Sequence, residues 1–189
     1  VPGDPGVRAQ ADAAQRAGQV LLRNQGALLP LRRGARLWLH GVDADAVRAA
    51  GFEVAEKVEG ADAALVRTAT PFETLHPHHF FGSRQHEGRL DFRPGDADTR
   101  MIVAAAHHVP VIVAVEMDRP AILTALLPHS RAMLVTFGAS DAALLDVVRG
   151  AAKPRGKLPF DLPRSMEDVA RGKGGNRQPL FSRGHGLSL

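Results

Sequence analysis

The stretch FGASDAALLDVVRGAAKPRGKLPFDLP, residues 137–163, decides the fold. It begins where the apolar run AMLVTF (132–137) ends, so a buried strand delivers the chain to Gly138, a residue free to adopt the backbone angles of a sharp stop. Ser140 or Asp141 then stands where a helix cap is wanted. Ala143, Leu144, Val147 and Val148 fall on one helical face. Gly150 closes that helix and Pro154 forbids its resumption. Lys157-Leu158-Pro159-Phe160 must be extended, because a residue before proline is pushed out of the helical region. A strand, a tight turn, a short amphipathic helix and an extended crossing form one unit of an α/β fold.

Working outward, the same alternation repeats. PVIVAV (110–115) is the most strand-like run in the chain, and DAALVRTAT (62–70) has an apolar interior suited to burial on both faces of a parallel sheet. Leu37–His40 predicts a short strand, Asp43 caps a helix through Ala50, and FEVAEKV (52–58) reads as a partly exposed strand. Asp98 opens a helix through His108, and Pro120–Leu127 predicts a helix or short crossover. Strands alternating with helices imply an α/β fold with an open, mostly parallel sheet and helices on both faces. Before this core (35–163), the segment 1–34 reads as a linker, VPGDPG, and an amphipathic lead-in helix over Val7–Arg23, followed by extended ALLPL (27–31). A tail, 164–189, packs on the core, with RGKGGNR (171–177) as a flexible surface loop.

Composition narrows the function. At 44% hydrophobic and 23% charged, the 189 residues have ordinary globular composition rather than that of a disordered chain. The net charge of +4 comes from 20 Arg and 4 Lys set against 20 acidic residues, the arginines spread from Arg8 to Arg183 without the stripe that nucleic acid requires. No apolar run reaches the roughly 18 residues of a membrane-spanning helix. With no Cys, disulfides and thiolate metal sites are excluded. FGASD lacks the G-x-S-x-G pattern of a nucleophile elbow, and Gly172, Gly174 and Gly175 follow no strand, so no phosphate-cradling loop is present. We therefore expect no nucleic-acid or membrane partner and no cofactor.

FGASDAALLDVVRG, PRGKLPFDLPRSMEDV (154–169) and PLFSRGHGLSL (179–189), with VLLRNQGALLPL (20–31) near the start, resemble the closing α/β sandwich domain of glycoside hydrolase family 3. These motifs lie in register over nearly the whole chain. It departs from the family pattern at Asp118, where glycine is usual, and at Ser182-Arg183, which replace a proline and an aromatic. The resemblance implies a flavodoxin-like α/β sandwich. It also implies a longer parent chain that begins before Val1, in which a preceding barrel domain carries the catalytic aspartate. The parent would be a retaining, exo-acting β-glycosidase, β-glucosidase-like, acting on a β-linked oligosaccharide or aryl glycoside. Its compartment is left open, cytoplasmic or secreted, in a bacterial setting. A module of different class, which keeps the fold but only binds a carbohydrate or a protein, is the competing expectation.

Ligands of such sheets gather beyond the carboxyl ends of the strands. The 27 residues 71–97 hang off one of them, a length usually reserved for function. This loop carries Glu73 (TPFET) and Glu87 (QHEGRLDF), and the resemblance makes either one the general acid/base. Read without the resemblance, each is a solvated loop carboxylate. His86, Arg89 and Asp91, with Asp118 and Arg119 from MDRP (117–120), are the expected sugar-binding residues, although Asp118-Arg119 also reads as a structural ion pair. His76, His78, His79 and His86 raise zinc, but a flexible run with no rigid frame reads as a polar rim, and no metal is expected. His185 reads as a structural histidine of the C-terminal turn.

Overall fold

The computed structural model describes residues 4–172 and 178–189. Among the described residues six strands form one open sheet: β1 (Val20–Asn24), β2 (Arg36–His40), β3 (Glu53–Val54), β4 (Ala63–Ala69), β5 (Val111–Glu116) and β6 (Ala132–Thr136). Their spatial order is β1-β6-β5-β4-β2-β3, and only β1 runs antiparallel to its neighbour. The helices are α1 (Pro5–Ala17), α2 (Ala44–Ala49), α3 (Ala97–Ala106), α4 (Asp141–Val148) and α5 (Met166–Arg171).

The two cores follow from strand alternation, which sends successive side chains to opposite faces. Ala63, Leu65, Ile112, Ala114, Ala132 and Leu134 pack with Val47 of α2 and with Leu144, Leu145, Val147 and Val148 of α4. Ala64, Val66, Val111, Val113, Val115, Met133 and Val135 pack on the other face with Ile102 and Ala105 of α3, joined by Leu158 and Leu162 of the extended crossing. The expected helices on both faces are therefore present. Ser140 caps α4 by accepting from the Ala143 amide (3.2 Å), and Asp43 caps α2 through Ala46 (2.7 Å).

The C-terminal motifs close the structure. Leu158 donates to His185 (2.9 Å), Leu162 to Phe181 (2.8 Å) and Leu187 to Leu21 of β1 (2.7 Å). This packing needs glycine at 156 and 186. A Cβ on Gly156 would lie 2.4 Å from the Gly18 carbonyl, and one on Gly186 would lie 2.5 Å from the Gly156 carbonyl. His185 is structural, as expected, with Nε2 3.0 Å from the Leu22 carbonyl and its ring against Phe181.

Two element readings need correction, and a third is decided between its alternatives. The helix read over Val7–Arg23 stops at Ala17, and Val20–Asn24 is a sheet strand inside the segment taken as lead-in. Val20 and Leu21 continue the helical apolar spacing by coincidence, while Gly18 ends the helix. Of the strand read over 52–58, only Glu53–Val54 pairs, at an outer edge. Of the two readings of Pro120–Leu127, the helix is not formed and the short crossover is: Ile122 bridges Asp91, and the chain then turns towards β6, parallel to β5. Most of the loop read at 171–177 lies outside the described residues.

Candidate functional site

The site begins at the carboxyl ends of β4, β5 and β6. Strand parity sends Arg67 towards α4 and Thr68 towards α3. Arg67, largely buried, pairs with Glu116 at 3.1 Å and with Asp141 at the start of α4. Glu116 also accepts from the Thr136 hydroxyl (2.5 Å) and the Gly138 amide, which ties three strand ends together. Thr68 donates to Asp98 of α3, whose other oxygen lies 3.1 Å from His40 Nε2.

From this platform residues 71–97 fold back on themselves. Glu73 and Glu87 form an antiparallel bridge, exchanging amide-to-carbonyl hydrogen bonds of 2.9 Å in each direction. Each carboxylate then accepts an amide from the opposite side of the bridge. Glu73 Oε2 takes that of Arg89 (2.9 Å), two residues past Glu87, and Glu87 Oε2 takes that of Leu75 (2.9 Å), two past Glu73. Glu87 is held further by the His76 amide (3.1 Å) and by His76 Nδ1 at 3.0 and 3.1 Å from its two oxygens. The hydrogen bond from His76, aided by these amides, pulls the Glu87 carboxyl below its ordinary proton affinity. Glu73 Oε1 accepts no hydrogen bond among the described residues, and Glu73 is exposed. Gly88 makes this closeness possible: its φ is +65°, and a Cβ there would lie 1.9 Å from Glu73 Oε2.

Around the bridge, His86 turns away from Glu87, as adjacent extended residues must. Its ring stacks on Phe72 with centroids 3.8 Å apart, and Nδ1 lies 2.5 Å from Asp118. Asp118 and Arg119 do not pair with each other. Arg119 Nη2 donates to the carbonyls of Pro71 (2.8 Å) and Arg89 (3.3 Å), one on each side of the loop's neck. Arg89 grips Asp96 with both terminal nitrogens (2.8 and 2.9 Å), and Asp91 pairs with Arg93 at 3.0 Å. The Arg89 hydrogen bonds hold the Asp96 carboxyl below its usual range. Phe72, Leu75, Phe80 and Phe81 are exposed along the outer edge.

All seven residues singled out in the sequence thus lie on or against one loop. They fall into two groups: Glu73, Glu87, His86 and Asp118 around the bridge, and Arg89, Asp91 and Arg119 at the neck. His76 stacks on His79 and is spent on Glu87, His86 is spent on Asp118, and no metal-holding cluster of three or more occurs among the described residues. The reading overlooked Arg67 and Asp98. A guanidinium inside the buried run DAALVRTAT was itself a signal, since such a group must find partners.

A mostly parallel sheet with a clasped, carboxylate-bearing loop off one strand end defines an open-sheet α/β domain of the class whose ligands gather at that edge. The model of the glycosyl hydrolase family 3 C-terminal domain matches residues 50–189, and the chain belongs to that family. It is 46% identical over 181 residues to the periplasmic beta-glucosidase/beta-xylosidase of Dickeya chrysanthemi, covering 94% of this chain and 28% of that protein. It is 36% identical over 181 residues to beta-glucosidase C of Emericella nidulans, covering 92% of this chain and 29% of that protein. The chain therefore spans less than a third of the length of these relatives. In fold it is similar to a mutant exo-1,3/1,4-beta-glucanase from a Pseudoalteromonas species (TM-score 0.77, 20% identity, 98% of this chain and 37% of that one). It is likewise similar to a beta-D-glucoside glucohydrolase of Trichoderma reesei (TM-score 0.76, 21% identity, 97% and 37%).

Proposed function

We propose that this domain forms one wall of the sugar pocket of a retaining, exo-acting β-glycosidase, with a barrel domain of the same parent chain supplying the nucleophile. Its substrate is a β-linked oligosaccharide or aryl glycoside, a reading supported by relatives that bear the names beta-glucosidase/beta-xylosidase and beta-glucosidase C. The observation that carries the reading is the Glu73–Glu87 bridge, which gives a long loop a fixed carboxylate at the sheet's ligand-binding edge. Glu73 is the general acid/base. A general acid must hold a proton near neutrality, and the environment of Glu87 favours its ionised form. Glu73 keeps one oxygen unengaged and exposed, free to meet a leaving-group oxygen. Glu87 then serves as the brace, with His86 and Asp118 facing the sugar.

The test compares Glu73→Gln and Glu87→Gln in the longer enzyme on an aryl β-glucoside. Glu73→Gln is expected to lose roughly 10²–10⁴ in kcat and to recover with azide. Glu87→Gln should lose less and show no azide recovery. Full activity in Glu73→Gln, or azide recovery in Glu87→Gln instead, would overturn the assignment.

A further inference from the structure

We infer that Arg119 is a positioning residue for the acid/base, acting as a clasp across the neck of the loop; this rests on the reading of Glu73 just given. A single guanidinium nitrogen, Nη2, reaches both the carbonyl where the chain leaves β4 (Pro71) and the carbonyl where it returns (Arg89). Two further contacts fix the clasp to the sheet. The Thr70 hydroxyl donates to the Arg119 carbonyl at 3.1 Å, and the Thr70 amide donates to the carbonyl of Glu116 at 3.0 Å. Past the neck, Ile122 donates to Leu90 (3.0 Å), so the returning chain is held alongside the segment that carries Arg119.

The energetics of this arginine argue for positioning rather than for stability. Its side chain is half-buried, it forms no ion pair among the described residues, and its Nε is buried without a hydrogen bond. Arg89, a neighbour in the same neck, has the full carboxylate of Asp96. A half-buried cation resting on neutral carbonyls is a poor way to gain stability, because desolvation is not met by an opposite charge. It is a good way to bring two backbone strands to one point. Glu73 stands two residues beyond Pro71, and Glu87 two residues before Arg89. The clasp thus grips the chain two residues from each glutamate of the bridge. Lysine carries its point charge on a flexible stem, without the rigid guanidinium plane that fixes where Nη2 sits, so it would hold the two carbonyls with less geometric definition.

The experiment uses the longer enzyme with Arg119→Ala and Arg119→Lys, reading kcat and KM on an aryl β-glucoside and amide hydrogen exchange by peptide. Arg119→Ala is expected to lower kcat about 100-fold, the scale on which a misplacement of an ångström acts, while KM stays within about threefold. Peptides containing residues 71–76 and 85–89 should exchange faster while β4, β5 and β6 keep their protection. Arg119→Lys should fall between the two, and added guanidinium ion should restore part of the Arg119→Ala rate. Unchanged exchange in the loop, or faster exchange with kcat intact, overturns the inference. A uniform loss of protection through β4–β6 also overturns it, by making Arg119 a residue of general stability. Should Glu73→Gln prove fully active in the same enzyme, the acid/base reading fails by itself, and the exchange data still judge the clasp.

Discussion

Asp96 illustrates how much of this site is decided by single side chains. Its carboxylate accepts two bonds from Arg89 and one from the Arg93 amide (2.9 Å), and the Arg89 pair lowers its proton affinity. A carboxyl whose folded value is depressed adds stability above its unfolded value, near about 3.9, and loses it as pH falls through the folded value. The neck should therefore loosen only below about pH 4. Carbon-detected titration of the Asp96 carboxyl should give a midpoint below about 3.9, and a midpoint at or above it would contradict the pairing. At this scale the sequence was only partly legible. Glu73 and Glu87 stood out as loop carboxylates, but their pairing depends on the path of 74–86, where no periodicity constrains the chain. Arg119 looked like a sugar-facing group, and nothing in M-D-R-P distinguishes an arginine turned outward from one turned onto carbonyls.

At the level of strands and helices the alternation of side chains carries most of the information. The runs 63–66, 111–115 and 132–135 are buried on both faces, and each places odd and even residues in different cores. Continuous apolar runs joined by capped helices can form little else, so β4, β5, β6, α2 and α4 were legible from residues alone. β1 was not, because Val20 and Leu21 satisfy helical spacing as well as strand pairing and only the distant partners in β6 and Leu187 decide. Leu65, fully buried in β4 beside Ile112 of β5, tests the packing. Leu65→Ala should destabilise the fold by about 2–5 kcal/mol, measured as a lower denaturation midpoint at unchanged slope. A shift under about 1 kcal/mol would mean the site collapses around the deletion more completely than close packing allows.

For the molecule as a whole, the geometry of glycoside hydrolysis is decisive. Retention requires two carboxyl groups about 5–5.5 Å apart on opposite sides of the sugar. Here Glu87 is committed to its brace and Glu73 faces open solvent. The purified 189-residue chain is accordingly expected to give no turnover of an aryl β-glucoside above background, and brisk hydrolysis would falsify that expectation. The neck has a second meaning at this scale. Because Arg119, Thr70 and Ile122 fasten the two ends of the loop to the sheet, and Leu75 and His76 hold Glu87, the residues beyond His76 can lengthen, shorten or change character without disturbing the register of β4 against β5. The tip from Pro77 to Gln85 is thus an exchangeable cassette, and descent can vary it while the carboxylates beneath stay where they are.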